Sequence, residues 1–161
     1  MAAAAQAFLI TVLAGAGLVK LVEHDAFLRT LAGLPWLPVR LARVSARAVP
    51  LLELTLASLL VVVPRVGAAA SLATLVAFTG VVGGELAAGR RFRCGCFGGA
   101  GIRAVGANTL LRNALLLTGG IVLLAAPYSF GAPASLSGFG LGMLLLLSEI
   151  GAETLALGRQ S

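Results

Sequence analysis

From Ala4 to Val22 the chain carries a single charged side chain, Lys20, and that one stands at the far end of the run. A helical run of this length covers the roughly 30 Å hydrocarbon core of a bilayer. Comparable runs recur at about 49–63, 68–88, 109–126 and 136–157. None alternates polar and apolar residues as a membrane-barrel strand must. In lipid every backbone N–H and C=O needs a partner within the chain, so uninterrupted apolar runs read as helices. The composition agrees, because 11% of the residues are charged, where a soluble surface needs roughly a quarter to stay hydrated. The expectation is an all-α, polytopic membrane helical bundle of about five transmembrane helices, a four-helix core plus a C-terminal helix. It forms a single integral membrane domain over 1–161, with the lipid bilayer as its first partner.

Ala14-Gly15-Ala16 has the small residues of a signal-peptidase site, but no Lys or Arg precedes the first run. A secretory signal needs a basic n-region, so this segment reads as a span. Between the first two runs lies a polar stretch broken by Pro35 and Pro38, with Trp36 suited to the headgroup layer. Arg40, Arg43 and Arg47 follow at helical spacing and suggest a short interfacial helix. Pro50 is expected in the first turn of the second span, where its missing N–H costs little. Pro64-Arg65-Val66-Gly67 reads as a tight turn, and Gly89 as the end of the third span. Gly80/Gly84 and Gly138/Gly142 are spaced for close helix approach, a weak signal in a chain with 21 glycines.

The net charge of +6 does not indicate nucleic acid. The basic residues are confined to short connections, and the aromatic residues on which bases would stack are missing. With five spans, all of the 12 Lys and Arg except Arg65 fall on one side. The positive-inside rule makes that side cytoplasmic, and it includes the 89–108 loop.

That loop holds Cys94 and Cys96, the only 2 cysteines, separated by Gly95. Arg90, Arg91 and Arg93 stand just before them, and nearby cations favour the thiolate that exchange chemistry requires. Gly95 permits the backbone angles that a very small disulfide ring demands. Such a ring is strained, and strained exposed disulfides are the labile, oxidising kind. The alternative readings are a static staple, which closes too short a loop to stabilise much, and a metal site. Two thiolates make half a tetrahedral site and His24 is the one other soft ligand, so a metal is not expected.

Glu53 and Glu85 lie inside expected spans, on the half facing the cysteine loop; so does Glu149. Ionisable groups at membrane depth are costly and face a partner or a cavity. Lys20 and Arg112 sit at the same level and are the candidate partners. His24, Lys20, Glu53, Glu85, Arg112 and the cysteines can therefore gather at one interface. The competing view makes the charged pairs simple helix-to-helix ties.

The run Gly89-Arg90-Arg91-Phe92-Arg93-Cys94-Gly95-Cys96-Phe97-Gly98, followed by Leu111-Arg112-Asn113-Ala114-Leu115-Leu116, resembles the signature of the methylamine utilisation protein MauE family. Ala16-Gly17-Leu18-Val19-Lys20-Leu21 and Pro50-Leu51-Leu52-Glu53-Leu54 fit as well, so the resemblance covers roughly residues 8 to 126. It implies a multi-pass protein of the bacterial inner membrane, related to the DoxX-like helical proteins. It also implies a part in methylamine dehydrogenase maturation on the periplasmic side, with a thioredoxin-like partner of the MauD type. By that likeness Cys94 and Cys96 exchange electrons with the partner and with a membrane donor such as a quinone. Periplasmic chemistry would put the cysteine loop outside, against the arginine distribution.

The leading expectation is a membrane thiol–disulfide oxidoreductase or electron relay. Cys94 and Cys96 are its exchanging pair, Arg91 and Arg93 favour the thiolate, and Glu53, Glu85 or His24 move protons. The rivals are a non-catalytic membrane docking partner that uses the basic loops, and a small-solute transporter using Glu53 and Glu85. No nucleotide, flavin or haem fingerprint is present.

Overall fold

A computed structural model describes residues 2–89, 107–125 and 139–144. Arg91, Arg93, Cys94, Cys96, Gly138 and Glu149 lie outside the described residues. The described chain forms α1 (Ala2–Val22), α2 (His24–Ala32), α3 (Val39–Val62), α4 (Pro64–Ala87) and α5 (Ala107–Ala125). Residues 139–144 are helical too, and no strand occurs among the described residues. By length and composition α1, α3 and α4 can each cross a membrane, and α5 contains the shorter apolar helix Leu110–Ala125.

α1 packs on α3 and α5, α3 on α4, and α4 on α5, so the four close into a ring, with α2 lying against α3. The core is made of Leu9, Val12, Leu13 and Ala16 from α1, Leu56, Ala57 and Leu60 from α3, Leu75 from α4, and Leu116 and Leu123 from α5. The outward faces are apolar as well: Leu18, Val22, Leu51, Val62, Val76, Leu111 and Ile121 are all exposed. In water such faces would aggregate, whereas in lipid they are the correct surface. This is an all-α membrane helical bundle.

Two elements differ from the sequence reading. α3 begins at Val39, so Arg40, Arg43 and Arg47 belong to its first turns and not to a separate interfacial helix. The short helix in the polar stretch is instead α2, which opens at His24. Pro50 lies inside α3, not in a first turn, and is fully buried. It leaves the Ala46 carbonyl without its usual donor but does not end the helix. The tight turn is also shorter than expected: Pro64 is the first residue of α4, and Val63 alone connects the two helices. A residue before proline is pushed out of helical geometry, and Val63 accordingly has φ −134 and ψ 77.

Close approaches occur where side chains are missing. At Gly67 a Cβ would fall 2.5 Å from the Leu60 backbone nitrogen, so only glycine lets α4 turn back so tightly on α3. At Gly17 a Cβ would lie 3.0 Å from the Pro50 carbonyl oxygen, which marks the tight crossing of α1 and α3. Gly142 approaches Thr11 in the same way, so residues 139–144 lie against α1. Gly80 and Gly84, by contrast, have no described residue within 4 Å of a Cβ position. Among the described residues no helix contact forms there, and both glycines are exposed.

Candidate functional site

Gln6 Nε2 donates to the Leu60 carbonyl at 2.7 Å, and Lys20 Nζ donates to both carboxylate oxygens of Glu53, at 2.5 and 2.7 Å. Rising residue numbers in α1 thus meet falling ones in α3, so the two are antiparallel. Gly17 already lies level with Pro50 and Leu54, so Lys20, nearly a turn further on, starts from a level outside Glu53. Its side chain leans back toward the start of its own helix, as helical side chains do. The ammonium therefore reaches into the bundle and does not snorkel outward to water. It also stands 5.7 Å from the centroid of the buried Phe27 ring, which adds a cation–π contact from α2.

Around this pair the structure gathers other polar side chains. Arg112, buried on α5, is close enough for its positive charge to act on both Lys20 and Glu53. Glu85, buried near the end of α4, accepts a hydrogen bond from the Trp36 indole N–H at 3.0 Å. Asn113 is 1% exposed and donates through Nδ2 to Thr79 Oγ1 at 3.0 Å, tying α5 to α4. Its Oδ1 accepts a long contact from Arg112 Nη2 at 3.4 Å. Two cations and two carboxylates are thus held in one half of the bundle. Buried charges demand such pairing and hydrogen bonding, since desolvation otherwise costs several kcal/mol per ion, on the order of 5.

α4 stops close by. The N–H groups of Ala88 and Gly89 return to the carbonyls of Gly84 and Leu86, each at 3.0 Å. Gly89 has φ 70, the left-handed conformation that ends a helix and that glycine adopts freely. The chain leaves the described structure after Gly89 and re-enters it in α5 at Ala107, ahead of Arg112. The segment with Cys94 and Cys96 is therefore tethered on both sides to the bundle end that carries the charges. His24, half-buried at the start of α2, joins no described hydrogen bond or ion pair of the cluster.

A family model for methylamine utilisation protein MauE matches residues 1–126. The chain belongs to the MauE family. The match runs from before α1 to just past the end of α5, so it takes in the helical ring, the charge cluster and the cysteine segment. No curated protein and no solved structure matches the chain. The protein is a multi-pass membrane protein of this family.

Several participants were not visible as such in the sequence. Trp36, suited to the headgroup layer, is also the hydrogen-bond partner of Glu85. Thr79 and Gln6 carry no sequence motif, and Asn113 stands out only within the Leu111–Leu116 signature. The available signal was a carboxamide deep in a membrane span, which must find a partner when no water is near.

Proposed function

We propose that this MauE protein is a membrane thiol–disulfide relay in which Cys94 and Cys96 exchange with a thioredoxin-like partner of the MauD type. The observation that carries the reading is the tethering of the Cys-Gly-Cys segment, through Gly89 and Ala107, to the end of the bundle that buries Lys20, Glu85 and Arg112 and half-buries Glu53. A purely structural bundle gains little from four ionisable groups at membrane depth, and such groups mark functional positions.

The chemistry balances as exchange between two thiol–disulfide couples. A thiolate of the reduced partner attacks one sulfur of a Cys94–Cys96 disulfide, forming a mixed disulfide and freeing the other cysteine as a thiolate. The partner's second thiolate displaces the bound sulfur. The partner leaves as a disulfide, and Cys94 and Cys96 remain as a dithiol richer by two electrons. A second disulfide, such as one in a maturing substrate protein, takes those electrons by the same two steps; run in reverse, the relay oxidises. Arg91 and Arg93 favour the thiolate, and Glu53 and Glu85 accept or return its proton. The family name points to methylamine utilisation, and the resemblance implies maturation of methylamine dehydrogenase as the process served.

A quinone is the other acceptor class to consider. Its carbonyl oxygens need hydrogen-bond donors, but the Lys20 ammonium and the Trp36 indole are already engaged by Glu53 and Glu85.

Cys94→Ser and Cys96→Ser are each expected to abolish complementation of a deletion strain at unchanged protein level. Undiminished complementation overturns the relay. The arginine distribution favours a cytoplasmic loop, while the family likeness implies the periplasm. A membrane-impermeant maleimide applied to intact cells separates the two. Labelling only after reduction means an outer-face disulfide and an oxidative role. Labelling only after permeabilisation means an inner-face pair and a reductive one.

A further inference from the structure

Away from the charge cluster, the first turns of α3 carry Arg40, Arg43 and Arg47, all exposed. We propose that this face binds anionic phospholipid headgroups, with the three guanidinium groups contacting lipid phosphate. At about 100° per residue the three arginines fall within roughly 60° of one another. Ala42, Ala46 and Pro50 of the same turns face the bundle and are buried. The arginine row is therefore a single outward stripe.

Followed along α3, that stripe changes character abruptly. Arg47 is succeeded on the same face by Leu51, and further on by Val62, both exposed and apolar. The exposed hydroxyls between them are satisfied internally: Thr55 donates to the Leu51 carbonyl at 2.8 Å and Ser58 to the Leu54 carbonyl at 2.9 Å. Nothing on the stripe beyond Leu51 needs water, which is the surface that hydrocarbon requires. The edge of the hydrocarbon core thus falls between Arg47 and Leu51, about 6 Å apart along the axis. The arginines occupy the next 10 Å or so, the depth of the headgroup layer.

Among the described residues the three charges also lack an internal counterion. No carboxylate among the described residues pairs with Arg40, Arg43 or Arg47. Like charges stacked along a helix face repel one another. They stand moreover near a helix N-terminus, whose dipole disfavours cations, and Pro38 at the N-cap of α3 offers no side-chain cap. Lipid phosphate corrects both defects, and guanidinium binds it through two parallel hydrogen bonds. An acidic soluble protein offers the same charge. The exposed Val39, Leu41 and Val44 interleaved with the arginines argue against it, because they suit the glycerol and upper acyl region and not a hydrated interface.

The test uses the full chain purified in neutral detergent and titrated with phosphatidylglycerol or phosphatidylcholine, with retained lipid counted by native mass spectrometry. The wild type is expected to retain phosphatidylglycerol in clear preference. The R40Q/R43Q/R47Q variant should bind it about a hundredfold more weakly, at about fivefold per arginine. R40K/R43K/R47K should keep most of the affinity, and R65Q, at the opposite end of the bundle, all of it. Equal retention of the two lipids by the wild type overturns the proposal, as does equal phosphatidylglycerol binding by the glutamine variant. So does polyglutamate capture that depends on the arginines while neither lipid is preferred, since the face then docks acidic protein. Displacement of the lipid by millimolar inorganic phosphate marks a free-phosphate site and overturns it too. If the triple variant fails to fold, R43Q and the wild-type lipid preference carry the same decision.

Discussion

The two ends of the helical ring are held together by different chemistry. At the end where α3 turns into α4, contact is made by removing atoms: Val63 is the whole connection, and Gly67 lets the backbones meet. The polar tie there is neutral, from Gln6 to the Leu60 carbonyl. At the opposite end the chain buries Lys20, Glu85 and Arg112 and half-buries Glu53, with Trp36 on Glu85 and Phe27 under Lys20. Backbone packing in lipid is served well by small residues and neutral hydrogen bonds. Ion pairs do not improve on that, because their attraction is largely offset by desolvation. The first end shows what this bundle needs for assembly, and the second exceeds it. That excess lies beside the cysteine segment, which is why we read it as function.

The comparison breaks most visibly at the ion pair. Glu53→Leu alone leaves the Lys20 ammonium buried without its carboxylate, and we expect a loss of about 3–5 kcal/mol, read as a large fall in thermal unfolding temperature in detergent. Lys20→Met/Glu53→Leu together should recover most of that stability while complementation stays lost. A double variant that is both stable and active would reduce the pair to a helix tie and remove the contrast between the ends. Gly67→Ala tests the other end. The new Cβ meets backbone and not a movable side chain, so about 3 kcal/mol should be lost, with the redox state of Cys94 and Cys96 unchanged in whatever protein remains folded. Trp36→Phe keeps the ring but removes the donor to Glu85. It should cost about 1.5 kcal/mol and slow thiol exchange at constant protein level. Gln6→Leu should have the smallest effect, about 1 kcal/mol in unfolding measurements and none on exchange. An exchange defect in Gln6→Leu equal to that of Trp36→Phe would show that the two ends are not functionally distinct.

Much of this was legible before any coordinates. Apolar runs broken by few charges require helices, since lipid gives the backbone no other partner. Lys20 and Arg112 were recognisable as partners for the acids because antiparallel spans bring those sequence positions to one level. The structure forms the Lys20–Glu53 pair and places Arg112 beside it. The sequence misled at Pro50, because a proline is read locally as a helix start, whereas packing against Gly17 of α1 keeps it inside α3. The weak spacing signal at Gly80 and Gly84 meets no described residue within 4 Å of a Cβ position, since spacing shows which residues share a face and not whether a neighbour faces them.

The sequence by itself determined the class of molecule, the helical spans expected at about 4–22 and 68–88, and the family. These follow from periodicity, charge and local motif, which act along the chain. Only the tertiary structure decided that Lys20 reaches inward to Glu53, that Trp36 serves Glu85, and that Asn113 bonds Thr79. It alone also set the arginine row on a stripe that turns apolar at Leu51. Each depends on the rotation of one helix against another, which is set by summed side-chain packing over the whole ring and by no short stretch of sequence.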